Sequence, residues 1–267
     1  MNPGTSMLIA HLSDLHLFAH RPETAHTRPD IALRVCQIVA DLTELRPLPD
    51  LVLISGDVTD GGSEDDYALA RSILEKLPMP FLLVPGNHDR RDTMRAAFSD
   101  RLDFAPGEHL NFRVSAAGGI IIGLDTTIPG KVEGALCQAR LEWLAKALTG
   151  VDSPTFVMMH HPPFSTGHKQ WDRTNLTAGG AELAALIEQA PGQVRLLCGH
   201  VHQPIHTIWH GAYAAIAGSP AFEYALDIGG SAEPHLVAST YTYWLHHLRP
   251  DTTFSVHPRQ VNLERPG

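Results

Sequence analysis

Five short stretches of the chain set aspartate, asparagine or histidine at spacings that suit metal chemistry. They are Ser13-Asp14-Leu15-His16, Gly56-Asp57-Val58-Thr59-Asp60, Gly86-Asn87-His88-Asp89, His160-His161-Pro162-Pro163 and Gly199-His200-Val201-His202. In extended backbone, residues i and i+2 project to the same side, so Asp14 and His16 can share one space, as can His200 and His202. Glycines 56, 86 and 199 permit sharp turns and close backbone approach. Collected, the stretches offer two Asp, one Asn and four His besides His88. That is too much ligand for a single ion and a natural set for two. Imidazole-rich mixed N/O ligation favours Zn, Mn, Fe or Co over Ca or Mg. If Asp57 bridges two divalent ions, four positive charges less Asp14, Asp57 and a hydroxide leave roughly +1 at the centre. Such a site attracts a phosphate anion and supplies its own nucleophile.

Each stretch follows an apolar run that reads as a buried strand: 7–12, 51–54, 81–84, 156–159 and 194–198, with a further run at 120–124. Helical spacing of apolar residues falls between several of them, at 30–45, 64–77, 136–148 and 181–189. Ser63 is the expected N-cap of the second of these, with acidic residues in its first turn where the helix dipole favours them. Strand–helix alternation predicts an α/β fold. In open α/β sheets, sites are assembled at the carboxyl ends of strands, and the five stretches stand there. After Gly199 the pattern changes to strands at 205–209, 213–217 and 241–245 joined by short connections, which predicts an antiparallel portion. No repeat or linker divides the chain. Residues 1–267 are expected to form one domain, with the motifs on 8–203 and closing strands, with substrate or assembly elements, over 204–267.

Singly, D-x-H and G-D-x-x-D are weak signals, because Gly-Asp is common turn chemistry; G-N-H-D and G-H-x-H after apolar runs are stronger. Together and in order they resemble the calcineurin-like metallophosphoesterase superfamily, and the HHPP form and overall size are similar to bacterial class III cyclic nucleotide phosphodiesterases and the related glycerophosphodiesterases. The resemblance runs from Asp14 to His202. It implies a four-layered αββα sandwich of two mixed sheets flanked by helices, with a dimetal centre at the strand edge. Asp14, His16, Asp57 and His202 would hold one metal; Asp57, Asn87, His160 and His200 would hold the other. His160 rather than its neighbour His161 follows from the family pattern. His88 would contact the phosphoryl group and assist the leaving oxygen, with Asp60 orienting it. Candidates for touching substrate are Asn87, His88, His161 and, in the variable loop, His168.

The activity implied is hydrolysis of a small phosphodiester, such as a 3′,5′-cyclic nucleotide or a glycerophosphodiester, by a metal-bridging hydroxide with two divalent (or mixed-valence) ions drawn from Mn, Fe, Zn and Co. The rival readings are a phosphomonoesterase, a nuclease and a catalytically dead binding scaffold. A net charge of −9, with only 20 Lys and Arg, disfavours a nucleic-acid polymer. All seven ligand positions and His88 are present, which argues against the dead scaffold. Segment 163–179 and everything after Gln203 match the family only loosely, so substrate selection is expected there.

Three cysteines at distant positions imply free thiols and a reducing compartment, with Cys36 and Cys198 expected in the core. The start of the chain lacks a basic, apolar leader, and no apolar run approaches the ~18 residues that cross a bilayer. A cytoplasmic protein, free of the membrane, is the expectation, and the resemblance suggests a homodimer or higher assembly. His11 is expected in the core; the histidines outside the motifs are assigned surface or packing roles. Phe222, Tyr224, Tyr241, Tyr243 and Trp244 are expected in core strands.

Overall fold

The computed structural model describes residues 6–20, 28–116, 118–190, 193–226, 228, 236–237, 240–251 and 253–263. The elements of the first half are β1 (Met7–Leu12), α1 (Ile31–Glu44), β2 (Leu51–Ile54), α2 (Glu64–Leu74), β3 (Phe81–Leu83), α3 (Arg91–Phe98), β4 (Phe112–Ala116) and β5 (Gly119–Leu124). Then come β6 (Gly134–Ala135), α4 (Gln138–Leu148), β7 (Thr155–Met159), β8 (Leu176–Ala178), α5 (Gly180–Gln189) and β9 (Val194–Cys198). The chain closes with β10 (Ile205–Trp209), β11 (Ala212–Ile216), β12 (Glu223–Tyr224), β13 (Leu236–Val237), β14 (Thr240–Leu248) and β15 (Phe254–Asn262).

Two mixed sheets carry the architecture. The first runs β15-β14-β1-β2-β3, with β1, β2 and β3 parallel and β14 antiparallel to β1. The second runs β10-β11-β9-β7-β5-β4, with β5, β7, β9 and β11 parallel and antiparallel strands at both edges. The unbroken apolar runs are explained by burial on both faces. In β7, Phe156 and Met158 join the core between the sheets, while Val157 and Met159 join the outer core beneath α4 and α5. Leu197 of β9 faces inward in the same way, and Val194, Leu196 and Cys198 face outward. Helices α1 to α3 bury Ile38, Leu42, Tyr67, Ile73, Met94 and Phe98 in the core that includes the first sheet. The result is the expected four-layered αββα sandwich. Ser63 caps α2 as predicted, in a reciprocal box: its Oγ accepts from Asp66 N and its own N–H donates to Asp66 Oδ2, both at 3.1 Å.

The short strands β6, β8, β12 and β13 were not foreseen, nor were three longer elements, each of which has a physical reason. Helix α3 is short and mostly polar; it buries only Met94 and Phe98, one turn apart. Strand β4 alternates buried Phe112 with exposed Arg113 at an edge of the second sheet. Strand β15 carries Pro258 and a largely polar sequence, tolerable because it is the edge of the first sheet. The closing strand expected at 241–245 extends to 240–248 and lies beside β1, so the end of the chain completes the sheet begun by its start. The antiparallel portion is real but not separate: β10 and β11 form a hairpin whose second strand joins β9 in parallel. Among the described residues no helix is long and apolar enough to cross a membrane.

Candidate metal centre

The parallel strands β1, β2, β3, β7 and β9 all deliver their C-terminal loops to one edge of the sandwich. Backbone hydrogen bonds stitch these loops together: Asp14 N to Gly56 O at 3.0 Å, His16 N to Asp57 O at 2.9 Å and Gly199 N to His160 O at 2.9 Å. Asp89 adds a clamp. Its carboxylate accepts from Gly86 N, Val58 N, Thr59 N, Thr59 Oγ1 and the Tyr67 hydroxyl, tying the loop that carries Asn87 to the loop that carries Asp57. Burial, with the nearby Asp57 charge, pushes the Asp89 carboxyl up to about 6.

Asp14, His16, Asp57, His200 and His202 all adopt left-handed backbone, with φ of 54°, 46°, 46°, 74° and 54°. Non-glycine residues rarely do so, and each instance costs on the order of 1–3 kcal/mol. The strain is concentrated on residues singled out from the sequence, as expected where side-chain direction matters more than local stability.

Four side chains meet at the first focus. His16 Nε2 lies 3.0 Å from His202 Nε2, 3.9 Å from Asp14 Oδ1 and 3.6 Å from Asp57 Oδ2, and His202 Nε2 lies 3.2 Å from Asp14 Oδ1. The opposite ring nitrogens identify the tautomers. His16 Nδ1 faces Asp60 Oδ1 at 2.9 Å, and His202 Nδ1 faces the Phe222 carbonyl at 3.1 Å. Both acceptors take the Nδ1 proton, which turns the two Nε2 atoms toward each other and toward two carboxylates.

The second focus repeats the arrangement. His160 Nδ1 donates to the Ser55 carbonyl at 2.8 Å, and its Nε2 faces Asn87 Oδ1 at 3.1 Å and Asp57 Oδ2 at 3.4 Å; burial would lower this imidazole, but the Asp57 carboxylate pushes it up to about 9. His200 Nδ1 faces the same Asn87 oxygen at 3.0 Å. The Thr174 hydroxyl donates to Trp171 O, so it accepts from His200 Nε2 at 3.2 Å, which leaves Nδ1 bare. Nitrogen and oxygen donor atoms converge at both foci, with Asp57 common to the two, and donors of this kind suit divalent transition metals. All seven residues predicted as ligands are therefore brought together.

The charges are mutually tuned. Burial would raise Asp57, but His160, His88 and His16 hold its carboxyl well below the usual range. Burial lowers His200 to about 3, and His160 adds to the effect, so its lone pair is available at neutral pH. His88 stands at the rim, with its side chain 41% exposed. Burial of the ring would lower it, yet the Asp57 carboxylate and the hydrogen bond to Asp60 push it up to about 10. Its Nδ1 lies 3.3 Å from Asp60 Oδ1 and 3.2 Å from Asp60 O, and its backbone N–H donates to Asp57 Oδ1 at 2.9 Å. Asp60 thus orients His16 as well as His88, a double contact that the sequence reading did not include.

His161 lies against the second focus, its ring centroid 4.8 Å from that of His160 and 4.7 Å from that of His200, but both its nitrogens have other partners. Its ring is fully buried, with Nδ1 against Thr126 Oγ1 at 2.8 Å and Nε2 against the Val132 carbonyl at 3.0 Å. His168 is also buried, 5.8 Å from the Trp171 ring. His11 lies in the core as expected, with Nε2 on Ser55 Oγ at 2.9 Å. Tyr241, Tyr243 and Trp244 are buried on β14, whereas Phe222 and Tyr224 are only partly buried and stand beside His202. Of the thiols, Cys198 is buried, Cys36 partly buried and Cys137 exposed. The residues missed are those acting through backbone or hydroxyl: Ser55 O, Phe222 O and Thr174. No side-chain pattern marks a carbonyl as an orienting group. Beyond Asn87 opens a cavity of about 740 Å³ whose lining includes Arg90, Arg91, Arg95 and Thr127.

A two-sheet sandwich with paired Asp/His foci at its strand edge defines a metal-dependent phosphoesterase. The family model for calcineurin-like phosphoesterases matches residues 7–204, and the chain belongs to that family. It is 32% identical over 256 residues to a probable glycerophosphodiester phosphodiesterase, GpdQ, of Arcobacter nitrofigilis, covering 96% of this chain and 93% of that one. It is 32% identical over 205 residues to the 3′,5′-cyclic adenosine monophosphate phosphodiesterase CpdA of Pseudomonas aeruginosa, covering 74% and 70%. A dimetal phosphatase from Danio rerio shares the fold at a TM-score of 0.62 and 12% identity, over 97% of this chain and 99% of that one. The protein is a calcineurin-like phosphoesterase, and the relatives it matches include enzymes named as phosphodiesterases.

Proposed function

We propose that the enzyme hydrolyses small phosphodiesters, such as 3′,5′-cyclic nucleotides or glycerophosphodiesters, at a centre of two divalent or mixed-valence ions drawn from Mn, Fe, Zn and Co. The observation that carries this reading is the pair of His/Asp foci that share the Asp57 carboxylate. Asp14, His16, Asp57 and His202 hold one ion, and Asp57, Asn87, His160 and His200 the other. When bound, such ions act as Lewis acids and lower the pKa of coordinated water.

The chain's own residues do the rest. Asp60, Ser55 O, Phe222 O and Thr174 fix the four imidazoles so that no reorientation is needed on substrate binding. His88, held at the rim by Asp60 at 3.2–3.3 Å, stands where it can give a proton to the departing alkoxide. A diester monoanion suits the cations available. Arg91, the cavity cation with a carboxylate partner, is committed to Asp125 at 2.7 Å and so is not free to meet the second charge of a dianion. We also take residues 1–267 as one domain, because β1, β14 and β15 from the two ends of the chain share one sheet.

Rates on bis(p-nitrophenyl) phosphate and p-nitrophenyl phosphate, with Mn, Fe, Co or Zn supplied singly, test the reading. The diester is expected to be hydrolysed with the higher kcat/KM. A strong monoester preference with every metal would overturn it.

A further inference from the structure

Phe222, Tyr224 and Trp171 form a continuous aromatic strip that starts at the metal-centre histidines and runs outward. The Phe222 ring lies 4.4 Å from that of His202 and 6.2 Å from that of His16. Tyr224 follows at 5.4 Å from Phe222, and Trp171 at 4.4 Å from Tyr224. All three side chains are only partly buried, so part of each ring meets solvent. The outer end is anchored to the centre as well, because Thr174, three residues beyond Trp171, accepts from His200 Nε2.

Two further properties narrow what such a strip can bind. Among the described residues the Trp171 indole N–H and both ring nitrogens of the neighbouring His168 are buried without a hydrogen-bond partner, so polar groups lie unsatisfied beside the strip. Lys169 and Arg173, two residues to either side of Trp171, are exposed and place positive charge around it. A glycerol arm has no face to stack. A quaternary ammonium would find aromatic faces but would be repelled by Lys169 and Arg173. A nucleobase has a π-face, polar edges and no positive charge, and stacking on an aromatic side chain serves any base.

We propose that the strip is a specificity subsite in which Trp171, backed by Tyr224 and Phe222, stacks the nucleobase arm of a phosphodiester. This rests on the phosphodiesterase reading above and deepens it by naming the arm and the residues that select it.

Two substrates with one leaving group isolate the arm: thymidine 5′-(p-nitrophenyl phosphate) and ethyl p-nitrophenyl phosphate, assayed with the metal-loaded wild type, Trp171→Ala and Tyr224→Leu. The thymidine ester is expected to show the lower KM on the wild type. Either variant should raise that KM about tenfold more than it raises the KM of the ethyl ester, with less than threefold change in kcat. Equal effects on the two substrates would overturn the assignment. Calorimetric binding of adenosine 5′-monophosphate and of glycerophosphocholine reports on the strip independently of turnover. Nucleotide affinity about tenfold weaker in Trp171→Ala supports the subsite; equal affinity in both proteins, or tighter binding of glycerophosphocholine than of the nucleotide, refutes it. If the wild type hydrolyses neither ester, the phosphodiesterase reading fails, while the calorimetry still decides the strip.

Discussion

Replacing Gly86 by alanine tests how tightly the backbone holds the shared carboxylate. A Cβ at this position would lie 2.2 Å from Asp57 Oδ1 and 2.3 Å from the Asp57 backbone nitrogen, where ordinary contact begins near 3.4 Å. Rotating the Asp57 side chain relieves only the first clash. The second demands that one of the two loops move by about 1 Å, and the loops are locked together by the Asp89 clamp. A displacement of that size in a catalytic group costs on the order of 100-fold in rate. We expect Gly86→Ala to fold, to lose about two orders of magnitude in kcat/KM on bis(p-nitrophenyl) phosphate, and to retain less metal after dialysis. Gly180→Ala is the control. Nothing lies within 4 Å of its would-be Cβ and it begins helix α5, so activity should be unaffected. Activity in Gly86→Ala within threefold of wild type, with full metal content, would refute the claim that backbone proximity positions Asp57.

His88→Ala should lower kcat by roughly 10²–10⁴-fold on substrates with poor leaving groups, with metal content preserved in elemental analysis; loss of metal instead would reassign His88 as a ligand. Glu223 gives a pH-dependent prediction. Burial pushes its carboxyl up to about 7 against the backbone N–H of Thr242 and the charge of Arg34, and its Oε1 has no partner among the described residues. Because the folded pKa lies above the ordinary value of 4.5, the ionised side chain destabilises the fold above about pH 7, and the penalty fades as pH falls towards 4.5. Glu223→Gln should therefore be more stable than wild type by on the order of 2 kcal/mol at pH 8 and equal to it near pH 4.5; a gain that is the same at both pH values contradicts the burial argument. Ser63→Ala removes one half of the α2 capping box and should cost about 1 kcal/mol in urea unfolding, while Ser63→Asp should restore most of it.

Much of the site is readable from residue order because its logic is one-dimensional. A strand buried on both faces must be an apolar run, and a coordinating side chain at its end needs only one or two further residues, as at Met158-Met159-His160 or Leu197-Cys198-Gly199-His200. What is not readable is whatever acts through the main chain or across long separations. The Ser55 and Phe222 carbonyls orient two ring nitrogens, yet any residue type carries a carbonyl. His160 and His161 are indistinguishable as letters; they differ because one ring reaches Asp57 while the other is enclosed by Thr126 and Val132. Strand β15 is hidden for the opposite reason, since an edge strand satisfies its outer face with water and needs no apolar alternation. Phe222 and Tyr224 look like core aromatics in sequence; their place beside His202 depends on the return of the chain from β11 across the mouth of the centre.

Anomalous diffraction from crystals of the metal-loaded enzyme, with elemental analysis of the same sample, reads the shared-carboxylate centre itself. Two ions per chain are expected, one among Asp14, His16 and His202, the other among Asn87, His160 and His200, with an Asp57 oxygen bound to both. A single ion in fully loaded enzyme, or two ions neither of which touches Asp57, would contradict that arrangement.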